Sequence, residues 1–153
     1  MSDGISYSFS ASLVVAIILS LRQILNSFYD DANSGMWVAG IVSNIVYIRW
    51  LEDLRLKMLE SHLPLEQLMP RGYCPIVAST EIKYKKALRI FDRPTGKMWL
   101  AQLGRSRCTL QAEIYLDDEV VATATQIGFF INPKTMRPMA VPEELKNIYV
   151  QDR

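Results

Sequence analysis

The feature that most constrains this chain is a change of periodicity. From about Asn44 to Ser61 the apolar residues Ile45, Ile48, Leu51, Leu54 and Met58 recur at spacings of three and four, the repeat of one face of an α-helix. Ser43 or Asn44 can cap its start and Pro64 cannot continue it, so the spacing predicts a helix of about 18 residues, roughly 27 Å long. After Gly72 the texture becomes that of strands. Polar and apolar residues alternate in Glu81-Ile82-Lys83-Tyr84-Lys85 and in Leu110-Gln111-Ala112-Glu113-Ile114-Tyr115, as a sheet wet on one face requires. The predicted strands are Ile76–Leu88, Lys97–Leu103, Arg107–Leu116 and Glu119–Ile131. Turn residues separate them at Asp92–Gly96, Gly104–Arg105 and Asp117–Asp118. Connections this tight make antiparallel neighbours. One long helix and one sheet with a face to cover define an α+β domain in which the sheet wraps the helix.

The rest of the sequence bounds what such a domain does. Its 153 residues, half of them apolar, suit a single domain over the whole chain, 1–153. Seventeen basic against sixteen acidic side chains leave a net charge of +1, too little to steer toward a nucleic-acid backbone. Cys74 and Cys108, with His62 as the one histidine, lack zinc-site spacing and a disulfide framework, so no metal is expected and both cysteines read as small reduced core residues. The apolar run Ala11–Leu21 stops at Arg22, short of the ~18 to 20 residues that cross a bilayer, and Asp3 is the charge before it. A buried strand or helix of a cytoplasmic protein is expected there; a membrane tether is the alternative.

Two separated stretches carry a resemblance. Gly40-Ile41-Val42-Ser43-Asn44, running on through Tyr47-Ile48-Arg49-Trp50-Leu51-Glu52, resembles in order and spacing the Gly-His-Val-Asn-Asn, Tyr-Leu-Arg-Trp-hydrophobic-Glu pattern that opens the central helix of the 4-hydroxybenzoyl-CoA thioesterase-like family. The Ile76–Leu88 strand, the Leu103-Gly104-Arg105-Ser106-Arg107 turn, Val121–Ala124 and the Asn132–Pro138 ending, followed by Pro142-Glu143-Glu144-Leu145, are similar to that family's closing hairpins. The resemblance spans roughly Gly40 to Leu145. It implies a hot dog fold, subunits joined as a homodimer or a dimer-based tetramer, and an acyl-CoA thioester as substrate in a cleft between subunits. Coenzyme A would enter as part of the substrate, with no separate cofactor.

Thioester hydrolysis needs a polarised carbonyl and an attacking oxygen. By the resemblance, backbone amides around Gly40, Ile41 and Val42, at the positive end of the helix dipole, serve the first need. Ile41 stands where the family has His, a change that leaves backbone donors intact. The family carboxylate lies three residues before the glycine, where this chain has Trp37. The replacement candidates are Asp31 as base with Asn33 positioning the water, and Asp30 beside them; an ordinary Asp/Asn/Ser/Gly turn accounts for the same residues. Tyr47, Trp50 and Leu51 are candidates for the acyl pocket, with plain core packing as the alternative. By the resemblance, Arg105, Ser106 and Arg107 are candidates for the phosphates of coenzyme A, with Lys83, Lys85, Lys86 and Arg89 behind them; an ordinary charged turn is the alternative for the first group, and a solvated sheet face is the favoured reading of Lys83–Lys86. Glu52 reads as an ion-paired residue, and His62 as a cation suited to a helix C-terminus. Residues 1–39 are atypical of the family. Leu13–Leu19 is continuously apolar where a first strand alternates, which fits a deeply buried strand, a replacement segment in an inactive protein, or an altered start.

Overall fold

The structure, a computed structural model, describes residues 19–20, 37–38 and 40–151. Three short strands come first: β1 (Leu19–Ser20), β2 (Trp37–Val38) and β3 (Ile41–Val42). The central helix α1 (Asn44–His62) follows, then the single turn α2 (Leu65–Leu68) and a 3-10 turn over Met69–Arg71. The long strands are β4 (Cys74–Tyr84), β5 (Thr95–Leu103), β6 (Arg107–Leu116) and β7 (Glu119–Asn132), followed by β8 (Arg137–Met139) and α3 (Glu143–Gln151).

The helix runs one residue beyond the predicted end, and Pro64 lies just past its C-cap, Leu63. Its inner face is Val46, Tyr47, Trp50, Leu51 and Leu54, all buried. The sheet is antiparallel in the order β1-β5-β6-β7-β4, so β4, expected beside β5 as its neighbour in sequence, pairs with β7 instead, while β5 takes β1 and β6 on its two edges. β8 takes over the β7 edge where β6 stops: Arg107 pairs with Phe129, and Phe130 to Asn132 then pair with Met139 to Arg137. This is the predicted α+β architecture, a curled sheet closed over one helix.

Apolar side chains lock helix to sheet in three buried clusters. Trp50, Tyr47 and Val46 pack with Leu88, Ile114 and Val121; Leu51 and Leu54 pack with Met98, Leu100 and Leu110; Leu63 and Leu68 pack with Phe130 and Val141. The approach is closest at Gly96, where an added Cβ would lie 2.9 Å from Leu54 Cδ1. Glycine at that point lets helix and sheet touch.

Several strand limits differ from expectation: β4 starts at Cys74 instead of Ile76, β5 takes in Thr95 and Gly96 from the expected turn, and β7 runs one residue further to Asn132. β4 ends at Tyr84, not Leu88, because Lys85 and Lys86 both direct their amides to the Val121 carbonyl and Leu88 turns inward to full burial. Most of the Ala11–Leu21 run lies outside the described residues; its Leu19–Ser20 end pairs with Gly96 and Thr95 of β5. No helix among the described residues is long and apolar enough to cross a membrane.

Candidate functional site

At the start of α1, β2 and β3 form a small hairpin, with Trp37 paired to Val42 and Val38 to Ile41. Gly40 sits in it at φ 73°, with open space where a Cβ would be. Glycine is therefore required by the left-handed backbone, not by crowding. The hairpin is fastened to the segment after β4: Val42 donates its amide to the Leu88 carbonyl at 2.9 Å, and Ile90 donates to the Gly40 carbonyl at 3.1 Å.

These bonds rearrange the expected oxyanion donors. Gly40, Ile41 and Val42 precede the helix instead of opening it, and the Val42 amide is already committed. Ile41 is 44% exposed, whereas the Val42 side chain is buried in the core. The helix itself begins at Asn44, and Ser43 at its N-cap makes no side-chain bond to the first turn. Asn44 and Ile45 thus add uncapped first-turn amides at the positive end of the helix dipole, a contribution the sequence motif had placed a few residues earlier.

Beside this helix start lies a cleft of about 190 Å³, walled by Ile41, Val42, Asn44, Tyr47 and the run Tyr84–Ala87. Tyr47 stacks edge-on against Tyr84 at 5.0 Å and against Trp50 at 5.1 Å. Burial holds the Tyr47 hydroxyl above the ordinary tyrosine range, and burial does the same for Tyr84, so both remain O–H donors at neutral pH. Lys85 and Lys86 bring positive charge to the rim, Lys86 being paired with Glu119. Lys83 stands on the exposed strand face beside Glu81 at 3.4 Å.

The remaining expected site residues are distributed differently. Of the three acyl-pocket candidates only Tyr47 reaches the cleft; Trp50 and Leu51 have no exposed surface and line neither this cleft nor the cavity at the other half of α1. They are core residues, and the indole Nε1 of Trp50 is sealed in without a partner among the described residues. The Arg105-Ser106-Arg107 turn is at the far end of the sheet. Tyr84 pairs with Ala122 and Arg107 with Phe129. Seven residues at ~3.4 Å each separate those registers by roughly 24 Å. Within one chain the turn therefore does not border the cleft. Its backbone anchors the C-terminal segment instead, through Val141 N–H to Arg105 O at 2.8 Å. Arg89 bridges to Ile41 on the backbone, at the hairpin. Glu52 is solvent-facing and 3.7 Å from Arg55. His62 Nδ1 lies 3.0 Å from the Met58 carbonyl oxygen at the helix end. Asp30, Asp31 and Asn33 lie outside the described residues. Among the described residues no three His, Cys, Asp or Glu side chains converge as metal ligands would.

A second opening lies between the other half of α1 and the sheet. Met58, Leu59 and Leu63 line it from the helix, Leu100, Leu110 and Phe130 from the sheet, and Arg55 is its cationic wall. Nothing in the sequence singled it out, because its residues come from α1, four strands and α3.

A curled antiparallel sheet around one long helix, with a cleft at the helix start, defines a hot dog-fold protein. Residues 28–148 match the profile of the thioesterase-like superfamily, and the chain belongs to that superfamily. No protein of curated function matches the sequence significantly. Among solved structures, the chain is similar to SAV2348 from Staphylococcus aureus, solved in complex with CoA (17% identity, TM-score 0.74, covering 96% of this chain and 87% of that one). It is also similar to the probable thioesterase YbaW from Escherichia coli (23% identity, TM-score 0.68, covering 90% and 96%). The DHNA-CoA thioesterase of Staphylococcus aureus aligns at 19% identity and TM-score 0.69, covering 78% and 85%. Identities this low show a shared fold.

Proposed function

We propose that this protein hydrolyses an acyl-CoA thioester to a free carboxylic acid and coenzyme A. The observation that carries the reading is the cleft at the start of α1, where uncapped backbone amides, two neutral tyrosine hydroxyls and the Lys85–Lys86 rim converge. Superfamily membership supports it. In the reaction a water oxygen attacks the thioester carbonyl carbon, and negative charge builds on the carbonyl oxygen. Backbone donors at the helix start stabilise that charge, by about 3 to 4 kcal/mol for one well-placed donor. The C–S bond then breaks, the sulfur leaves as the thiolate of coenzyme A and takes up a proton, and the carboxylate product remains. A carboxylate must accept the proton of the attacking water. Asp31, with Asn33 holding the water, is our assignment for that role, and Asp30 is the alternate.

The catalytic unit in this reading is a homodimer joined through β4. Among the described residues β4 pairs only with β7, so its other edge offers unpaired amides and carbonyls to a second copy. Ile41, Ile45 and Ile48, exposed on the hairpin and α1, and Ile76 and Tyr84 on β4 supply apolar surface to cover. A two-fold pairing of antiparallel β4 edges brings the Tyr84 end of one copy beside the Cys74 end of the other. The Arg105–Arg107 turn, remote from its own cleft, then lies at the same end as the second copy's cleft, where coenzyme A phosphates need cations.

Trp37, at the family's carboxylate position and paired with Val42, favours one second reading: an acyl-CoA or acyl-carrier binding module of the same fold without hydrolysis. Release of free thiol from a panel of acyl-CoA thioesters separates the two. Turnover that disappears in Asp31→Ala or Asp30→Ala at unchanged dimer content establishes the hydrolase and its base. Binding of acyl-CoA with no thiol released by any thioester establishes the binding module.

A further inference from the structure

Helix and sheet do not close along the C-terminal half of α1. The cavity left between them is about 60 Å³, room for roughly four to six water-sized groups at about 10–15 Å³ each. Gly128 keeps it open: a Cβ there would lie 2.9 Å from Cys108 Sγ and 3.3 Å from the Ile76 carbonyl oxygen. Ile76, 39% exposed, is the most open residue of the wall. It stands on β4, whose edge away from β7 is unpaired among the described residues, so the mouth opens at that edge and, in the proposed homodimer, onto the seam between the two copies.

The wall is apolar apart from His62, whose ring faces the Met58 carbonyl, and Arg55. Arg55 Nη1 donates to Gln126 Oε1 at 3.1 Å, and Gln126 Nε2 donates onward to Thr80 Oγ1 at 3.1 Å. Gln126 is only 3% exposed and is the one buried polar residue among those described. Glu52, at 3.7 Å, balances the guanidinium from the solvent side, and the Arg55 side chain is 20% exposed. Burial lowers the Arg55 pKa, with the Glu52 charge opposing it, yet a guanidinium stays charged in proteins. A guanidinium has five N–H donors in a planar fork; one bond to Gln126 and a loose ion pair leave room for a carboxylate. A fixed cation at the side of a narrow apolar cavity matches an anionic head on a slender apolar tail.

We propose that this cavity binds an unbranched aliphatic carboxylic acid, with its carboxylate against Arg55 and some four to six carbons among Met58, Leu59, Leu63, Leu110 and Phe130. Arg55 lies eleven residues beyond Asn44, roughly 16 Å of helix, so this site is separate from the helix-start cleft; that the acid is a product of hydrolysis rests on the thioesterase reading, and the binding itself does not.

Calorimetric titration of the full chain with straight-chain acids from butanoate to dodecanoate, and with primary alcohols of equal length, tests it. Affinity for the acids rises about fourfold per methylene, the factor expected for burying one CH₂, and levels off between pentanoate and heptanoate. Alcohols bind at least tenfold more weakly than acids, a comparison that needs no substitution. Arg55→Met weakens every acid by tenfold or more while keeping the slope with chain length. Leu145→Trp, on the surface helix at the cavity wall, moves the plateau two or three carbons shorter. The proposal is overturned if no acid binds, if affinity is independent of chain length, or if acids and alcohols bind equally. Acid binding as described without any thioester cleavage sustains the cavity and removes the hydrolase; cleavage without acid binding does the reverse.

Discussion

The two ends of α1 are built on opposite principles. At the start, backbone groups do the shaping: Gly40 takes a left-handed turn, Val42 and Ile90 staple the hairpin to the chain after β4, and polar side chains rim an open cleft. At the other end side chains do it, with Leu, Met and Phe walls, one arginine, and a glycine that leaves space. A backbone-built end suits charge stabilisation, because amides are fixed in place before any ligand arrives. A side-chain-built end suits selection among apolar groups. Between them Trp50, Leu51 and Leu54 hold both ends to one sheet.

That middle is where the largest effect is expected. Trp50→Ala should cost about 3–5 kcal/mol, the range for deleting a large buried aromatic, read as a shift in the denaturant midpoint. It should degrade both ends together; preservation of either one would show that the ends are not coupled through the core. Gly128→Ala should cost about 1–3 kcal/mol through overpacking against Cys108, seen in thermal melts, with preference moving to shorter chains. Gly40→Ala should cost about 1–2 kcal/mol, because φ 73° burdens a residue with a Cβ, and should lower the rate of thiol release. Gly40→Asn, whose side chain tolerates that region, should be milder; equal costs would mean the glycine is needed for space after all.

The smallest effect belongs to the pin on α3. Arg71 Nη1 donates to Glu144 Oε1 at 2.6 Å on the open surface. The Arg71 hydrogen bond holds the Glu144 carboxyl below its ordinary value. A lowered carboxyl pKa stabilises the fold above the unfolded value, and the gain is lost as pH falls through the folded one. Arg71→Gln should therefore leave a slight destabilisation at neutral pH that vanishes in acid, below the ordinary carboxylate range. Melting curves at two pH values check this, and solvent screening keeps the effect near the limit of detection.

How far the sequence could be read differs along the same axis. α1 was legible to within a residue because its 3.6-residue repeat and Pro64 are local signals. β6 was legible in full, since alternation runs between two turn-forming sites. β4 was overextended to Leu88 because no turn residue follows the alternation that ends at Lys85, while the Val121 carbonyl that captures the Lys85 and Lys86 amides is remote in sequence. Trp50 and Leu51 carried a motif consistent with a pocket or a core, and only packing showed a core. The Arg105–Arg107 turn had the right charge, but its distance from the cleft is a property of sheet register.

The sequence by itself determined one helix, the strands after Gly72, the hairpin pairings of β5 with β6 and β6 with β7, and the motif by which the chain resembles thioesterases, because each is written in short-range periodicity, turn chemistry or local spacing; the pairing of β4 with β7 across the sheet was left to tertiary structure. Tertiary structure alone decided which amides at the helix start are already bonded, which aromatic residues are sealed, and that Arg55 meets Gln126 across 71 positions beside a cavity. Those facts depend on segments brought together by burial of apolar surface, a non-directional force that local sequence patterns do not resolve into particular contacts.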